Sequence, residues 1–448
     1  MSTTQLPGPG LENLTGSLQN IIQDGILWRE FQDHLTPNTI FRSCFSHVYP
    51  TAALGQRFLY NQSQDLADVP DPITPAANTD MNNGMTPVDP ASIEQYALKL
   101  NRYGNTLDTN LLVSSLTMEN QFAKNARDLG RNAGRSLDKA ARGHLDAAYG
   151  GGLTYLTGDA AAVANINVAN VFGFDFKMVD GVPTAVSGTN KLAILIDGSI
   201  AANVQGIAGV TVDRDIDWAP GTLQLDANVT ASTGDKVEAS TAPLQYDANG
   251  VNSNPYLLTS SSNITTDTIL GMISQLEEDA VPPHDDMYYH LYLDPISYAQ
   301  LFADSKFREI FRGAGNEDVY TRGALGAFGN TLIFKTQVSA KDLRTVNSGS
   351  VMIRHFIATG GDVGFEGRYG DMDKINQLAG MNQSIIMTEF DSESHVMLQH
   401  RSPLDRHGEV VSSSWKFLGG FTIRTDSLTL SGGRNYGRAV MGRCGTAR

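Results

Sequence analysis

The chain has 448 residues, 41% of them hydrophobic and 18% charged, a balance that excludes a disordered or collagen-like polymer and gives room for two to three domains. Its formal net charge of −15 disfavours polyanionic partners for the molecule as a whole, so any nucleic-acid contact must come from local basic patches. Two cysteines, Cys44 and Cys444, no basic-then-apolar leader and no apolar run near the ~18 residues of a membrane span together predict a soluble, cytosolically made chain that does not rely on disulfides.

Residues 1 to about 25 are polar, carry Pro-Gly-Pro-Gly at 7–10, and predict an extended arm. GILWREFQDHL follows, then a β-leaning run from Thr39 to Tyr49. Between Asp65 and Pro90 the chain places Pro70, Pro72, Pro75, Pro87 and Pro90 with little periodicity. A loop of that length is uncommon inside a compact domain, and is read either as a contact with another chain or as a plain surface loop. SIEQYALKLNRYG then sets Tyr96, Leu98 and Leu100 on one side of a strand. Strand-like runs on both sides of the proline-rich stretch predict a protruding hairpin.

From about Thr109 to Tyr149 the spacing predicts a long helix. Phe122, Ala126, Leu129, Ala133, Leu137 and Ala140 recur every three or four residues and form its apolar face. Lys124, Arg127, Arg131, Arg135, Lys139 and Arg142 make a basic stripe of the same period, with Asp128, Asp138 and Asp146 among them. Two readings of the stripe stand. It is a solvated face laced with weak i,i+4 ion pairs, or a surface that meets nucleic-acid phosphates without sequence preference. Gly130 and Gly134 each cost about 1 kcal/mol relative to alanine, and predict a bend or the close approach of a neighbour.

After Gly150–Gly152 the texture changes. Residues 153 to about 260 are rich in small and turn-forming residues between short β-type runs, and 151–260 hold eleven acidic residues against four basic ones. This predicts a small acidic β-domain inserted into something else. Asp213, Asp215 and Asp217 have the odd spacing that opens a calcium loop, but Trp218 and Gln224 stand where the glycine and the bidentate glutamate belong, so the strand reading is preferred. TTDTILGMISQLEEDA predicts a capped amphipathic helix, MYYHLYL a buried strand, and Asp294-Pro295 the cap of the next helix. With the strands TLIFKTQVS and VMIRHFIAT, these elements predict a mixed α/β unit.

No phosphate-binding loop with its lysine, nucleophile elbow, HExxH or paired CxxC occurs. RGALGAFGN lacks the setting that dinucleotide binding needs and predicts a loop. The candidate for chemistry is RSPLDRHGEVVSSSWK, with His395 and His400 just upstream of Asp405 and His407, as in a metal-dependent hydrolase. Strand alternation through SHVMLQHR sends His395 and His400 to opposite faces, and Pro403 and Gly408 put Asp405 and His407 in a loop. The expectation is therefore no catalytic residue, no metal and no cofactor. Trp415, Phe417, Phe421 and Ile423 share the buried side of a following strand, with Gly419 and Gly420 allowing a bulge or strong twist.

A strand ending in arginine and Ser-Pro-Leu-Asp, then Arg-His-Gly, a spacer and Trp-Lys-Phe, resembles the C-terminal signature of tailed-bacteriophage major capsid proteins, and is most similar to the branch of the N-four-like podophages. The resemblance covers most of the chain in order. It implies an α+β fold of the Hong Kong 97 capsid type, with an N-terminal arm over 1–40 and an extended loop on a β-hairpin over 41–108. The spine helix of a peripheral domain follows over 109–152, then the inserted acidic β-rich domain over 153–262. An axial domain over 263–348, a return through the peripheral domain over 349–430 and a basic C-terminal tail over 431–448 complete it.

The resemblance further implies a non-enzymatic structural protein of the virion. Its copies, as hexamers and pentamers assembled in the host cytoplasm, form an icosahedral shell around non-specifically held double-stranded DNA, with no membrane. The absence of a long charged helical prefix implies a separate scaffolding protein, and portal and decoration proteins are further expected partners. The same fold also serves shells of bacterial nanocompartments, the alternative reading. The basic stripe would then face DNA, and the five prolines would meet neighbouring subunits.

Overall fold

The computed structural model describes residues 6–7, 26–35, 40–49, 57–63, 93–110, 121–179, 182–208, 220–313, 330–337, 341–346, 349–369, 385–390, 394–401, 410–426 and 434–447. Helix α1 (Ile26–Leu35) lies against helix α2 (Gln121–Tyr149), whose predicted apolar residues Phe122 to Ala140 are all buried. Gly130 is the crossing point: a Cβ there would strike the carbonyl oxygen of Phe31, so the glycine admits a close neighbour. Trp28, Phe31 and Leu35 join Leu129, Ala133, Leu137, Trp415 and Phe417 in one cluster, each large apolar side chain contributing about 1.5–3 kcal/mol of burial.

The described helix runs over Gln121–Tyr149, and Thr109 is not part of a helix. Residues Asn101–Asn110 instead form a strand paired over its whole length with 410–419, and the side chains of Tyr103 and Leu107 turn under α2. A ladder of ten pairs wins over weak helical periodicity in this stretch.

Strand Val410–Ile423 is the backbone of a seven-stranded sheet. Met397–Arg401 pairs antiparallel with 412–416, Gly364–Arg368 with 419–423, and Phe45–Val48 adds parallel to Gly364–Arg368. Leu6–Pro7 reaches the far edge through Ile385–Phe390. Of the bulge or strong twist expected at Gly419–Gly420, no bulge interrupts the ladder with Gly364–Arg368, and the ladder with Asn101–Asn110 ends at Gly419. Those glycines serve proximity instead: a Cβ on Gly420 would meet the Lys99 carbonyl, and one on Gly419 the Gly367 carbonyl and the Phe417 ring.

A second seven-stranded sheet combines Gln245–Asp247, Tyr289–Leu293, Thr331–Lys335, Gly349–Thr359 and Ala439–Ala447 with the shorter Gly250–Val251 and Lys341–Val346. Two expected boundaries fail here. Lys341–Val346 and Gly349–Thr359 are a hairpin, so a division at 348/349 cuts through one unit. Residues 439–447 are no tail: Ala439–Ala447 pairs along nine residues with Gly349–Thr359 and is buried except at its end. Val440, Met441 and Cys444 satisfy the core more than the arginines favour solvent.

Helix α3 (Thr266–Glu278) is capped by Thr265, whose side chain accepts from the Thr268 N–H, and packs Ile269, Met272, Ile273 and Leu276 on this sheet. Asp294 caps helix α4 (Pro295–Ala303), accepting from the Ile296 and Ser297 N–H groups. It also pairs at 2.7 Å with buried Arg354 of Gly349–Thr359, locking strand, helix and sheet together. Helix α5 (Ser305–Gly313) follows.

The inserted stretch forms a six-stranded sheet in the order Leu153–Tyr155, Lys236–Ala239, Leu192–Ile196, Ser199–Ala208, Gly221–Ala231, Ala160–Val168, every pair antiparallel. Its ends meet: a bridge joins Leu156 to Val168, and the Thr157 and Ala169 N–H groups donate to the Asn167 and Tyr155 carbonyls at 3.0 and 3.1 Å. The sheet therefore curls into a small barrel whose first and last strands meet at that one bridge, filled by Ile166, Leu192, Ile194, Val204, Leu223, Leu225 and Val237. Asp213, Asp215 and Asp217 lie outside the described residues, as do 321–329.

Candidate assembly surface

On the outward side of α2, Lys124, Arg131, Arg135 and Lys139 are exposed within about 22 Å of helix length. Arg131, Arg135 and Lys139 have no ion-pair partner among the described residues, whereas Arg127 reaches across at 3.2 Å to Glu30 of α1. Arg142 does not belong to the stripe. It is 3% exposed and pairs with Asp146 at 3.0 Å, because α2 is covered on all sides near its C-terminal end. Asp138 is also internal, fully buried rather than part of an exposed face.

The inward side of α2 carries a charge device. Asp138 Oδ1 accepts from the Phe41 N–H (2.5 Å) and the Arg42 N–H (3.3 Å), holding the short 3-10 turn Phe41–Cys44 on the helix. Burial pushes its carboxyl up to about 6, against the pull of those N–H groups and of Arg42. Beside it, Glu366 is fully buried between Arg42 (Nε–Oε1 2.9 Å) and Arg368 (Nη2–Oε2 2.7 Å), and the Arg368 guanidinium also contacts the His47 ring at 2.6 Å. Burial, then Arg368, holds His47 below its ordinary value. Burial likewise lowers Arg42 despite Glu366. The network ties the turn before Phe45–Val48 to Gly364–Arg368, residues more than 300 positions away.

Arg57–Ser63 and Ile93–Lys99 form a separate two-stranded hairpin, pairing from Arg57↔Lys99 to Ser63↔Ile93. The expected hairpin is present, with its first strand at 57–63 rather than within 39–49, where Phe45–Val48 pairs elsewhere. Tyr96 stacks between Tyr60 (5.5 Å) and Phe365 (5.3 Å), fastening the hairpin to the first sheet, while Leu59 and Ile93 stay exposed. Pro70, Pro72, Pro75, Pro87 and Pro90 lie outside the described residues. At the hairpin's root opens a cleft of about 390 Å3, lined by Arg57, Lys99, His144, Phe421, Thr425 and Tyr436 among others.

The histidine cluster is not assembled. Asp405 and His407 lie outside the described residues. His395 precedes the strand Met397–Arg401 at φ 56°, its ring 5.2 Å from that of Tyr49, rather than alternating within the strand as expected. His400 is buried with Nδ1 2.9 Å from Ser413 Oγ, and burial lowers it to about 4. Among the described residues no group of three or more His, Cys, Asp or Glu could hold a metal ion. Burial pushes Cys44 and Cys444 up to about 12, which leaves both thiols protonated and inert at neutral pH.

Trp415 and Phe417 face α2, with Trp415 Nε1 donating to Asn132 Oδ1 at 2.9 Å, and Phe421 and Ile423 continue under Leu145 and Tyr149. The arginines of the last segment are engaged as well: Arg434 with Asp279 (2.8 Å), Arg438 with Asp426 (3.0 Å), and Arg443 toward the Gly150 and Leu153 carbonyls. Sequence reasoning missed Arg42, Glu366 and Arg368, the inward role of Asp138, which it placed on the stripe, and the parallel His284–His290 rings 3.9 Å apart. Its available signal was charge inside otherwise apolar strand runs, as in GFEGR and MYYHLYL.

No family model matches the chain, and no curated protein matches it. Among solved structures, the capsid of Ralstonia phage GP4 is similar at 12% identity and a TM-score of 0.50, covering 90% of each chain. The capsid of cyanophage Pam1 is similar at 11% identity and a TM-score of 0.50, covering 93% of each. This chain therefore has the α+β fold of those capsids along nearly its whole length. Among the described residues no helix is long and apolar enough to cross a membrane.

Proposed function

We propose that the chain is the major capsid protein of a tailed double-stranded DNA phage, closing as hexamers and pentamers into the icosahedral head shell around the genome. The observation that carries this reading is the fold likeness to two phage capsids over at least nine tenths of both chains. The protein acts by self-assembly in the host cytoplasm and resides in the virion.

In this reading the hairpin Arg57–Ser63/Ile93–Lys99 carries the extended loop, α2 is the spine helix of the peripheral domain, and the second sheet with α3–α5 is the axial domain. The barrel is the insertion. The C-terminal signature supports the N-four-like podophage branch. Exposed Lys124, Arg131, Arg135 and Lys139 meet DNA phosphates without sequence preference, and scaffolding, portal and decoration proteins are the assembly's other partners. Many weak copy-to-copy contacts acting together suffice to close the shell. Expressing the chain, alone and with its scaffold, and viewing it by negative-stain microscopy tests the reading. Shells tens of nanometres across are expected, and a strictly monomeric chain in the native virus contradicts it. Shells that enclose enzymes in place of DNA favour the nanocompartment reading.

A further inference from the structure

The cleft of about 390 Å3 lies between two hairpins of different origin. Arg57 and Lys99 line it from the hairpin Arg57–Ser63/Ile93–Lys99, and Phe176 and Pro183 from a second, Phe176–Val179/Val182–Ala185, which belongs to the inserted stretch but not to its barrel. Phe176 pairs with Ala185 and Met178 with Pro183, so Phe176 and Pro183 share one face of that hairpin. Phe421 and Tyr436, both buried, complete an aromatic lining, and Thr425 stands with them.

The charge of this cleft is one-sided. Arg57 and Lys99 are exposed and directly opposite in the antiparallel ladder, with Cβ atoms about 5 Å apart, an arrangement in which like charges repel. Neither has a hydrogen-bond or ion-pair partner among the described residues, and no carboxylate is among the described residues that line the cleft. Two acids near its edge are already engaged, Asp426 with Arg438 at 3.0 Å and Asp362 with Arg424 at 3.9 Å. Thr425 is 3% exposed, and its Oγ1 has no hydrogen-bond partner among the described residues. A buried hydroxyl left unpaired is unfavourable, and an anionic oxygen in the cleft would satisfy it.

The lining selects a ligand by chemistry. A guanidinium fork and an ammonium side by side match a terminal phosphate, which carries close to two negative charges at neutral pH, better than a carboxylate or a phosphodiester with one. The rings and the proline suit a flat, apolar body, since aromatic faces stack on aromatic and proline surfaces. The volume is at the lower end of small-molecule sites, room for one such molecule and not for a strand.

We propose that the cleft binds a free aromatic monophosphate the size of a single nucleotide, its phosphate held by Arg57 and Lys99 and its ring lying among Phe176, Pro183 and Phe421. The Thr425 hydroxyl donates to an oxygen of the ligand. The site is built within one chain and is independent of the shell reading.

Adenosine 5′-monophosphate, titrated by calorimetry into the full unassembled chain at physiological salt, tests the site. Saturable binding of one molecule per chain is expected, with adenosine and inorganic phosphate each binding more weakly by about tenfold or more. Arg57→Glu and Lys99→Glu should each weaken the nucleotide by a similar factor. Both residues are exposed, so unchanged thermal melting by circular dichroism separates lost binding from lost folding. No binding, binding indifferent to both substitutions, inorganic phosphate binding as tightly as the nucleotide, or a short single-stranded oligonucleotide binding more tightly than it overturns the proposal.

Hydrogen exchange locates the ligand: protection by the nucleotide should rise in both Ile93–Lys99 and the 176–185 hairpin, and protection confined to other segments overturns the assignment to this cleft. Thr425→Val exchanges the hydroxyl for a methyl of the same shape. It should melt no lower than the parent and bind the nucleotide less tightly, whereas lower melting with unchanged binding overturns the role given to that hydroxyl.

Discussion

The inserted barrel takes all six strands from residues 153–239, whereas the first seven-stranded sheet joins Leu6–Pro7 and Phe45–Val48 to strands beyond residue 360. The barrel pays little loop-closure entropy and fills its interior with its own apolar side chains. The sheet-and-helix body must close very long loops first, and buried charges at Glu366 and Asp138 enforce its long-range pairings. The contrast predicts that residues 153–239 hold together when the body is destabilised, whereas the body's long-range pairings are lost together.

Glu366→Ala is the sharpest way to break the comparison. It leaves the Arg42 and Arg368 guanidiniums buried without their carboxylate, and should destabilise the body by about 3–5 kcal/mol. Hydrogen exchange resolved by segment should show protection lost across α1, α2 and Val410–Ile423 and kept in 153–239. Equal loss in the barrel would show that the two regions are one cooperative unit.

Acid should separate the regions next. His400 and His284 are held near 4 in the fold by burial, His284 also by His290, well below the unfolded value of 6.5. The native body therefore binds fewer protons, so stability complete above pH 6.5 is lost as pH falls toward 4, by about 3 kcal/mol for His400 alone. His290, Asp285 and Asp286 surround His284, and Asp286 accepts from His290 at 2.8 Å, which softens the effect there. Asp138 acts oppositely: raised to about 6, it adds stability as pH falls from about 6 to its unfolded 3.8, offsetting part of the loss. The barrel contains no histidine. Its Asp226, lowered to about 2 by Asn203 and Lys191, keeps its contribution until pH falls below 3.8. Calorimetry at pH 7 and pH 5 should show the body's transition moving down and the barrel's staying in place.

Trp415→Phe removes the Nε1–H bond to Asn132 while keeping an aromatic ring, and should cost about 1–2 kcal/mol, read as a lower denaturation midpoint of the body. Arg131→Glu with Arg135→Glu has the smallest effect on folding, within about 0.5 kcal/mol, since both side chains are exposed. Its readout is DNA content per particle, which should fall. Unchanged content and unchanged assembly would make the stripe a solvated face.

Elements whose signal is local were legible before the structure. The apolar face of α2, the caps at Thr265 and Asp294, the Gly130 approach and the alternation from Trp415 to Ile423 all depend on neighbours within a few residues. What was not legible depends on partners far away. Asn101–Asn110 is a strand because 410–419 lies beside it, and Arg142 is buried because the C-terminal end of α2 is covered. The arginine-bearing C-terminal segment became a central strand for the same reason: Gly349–Thr359 offers it nine pairs. The buried Glu366 network joins residues more than 300 positions apart, which no spacing rule detects.

Electron cryomicroscopy of the purified native particle tests the central claim most directly. The account predicts a closed icosahedral shell in which every wall subunit fits this chain, with α2 packed on Val410–Ile423 and a six-stranded barrel inserted after Gly152. A wall built from a different polypeptide, with this chain absent from the shell lattice, would contradict it.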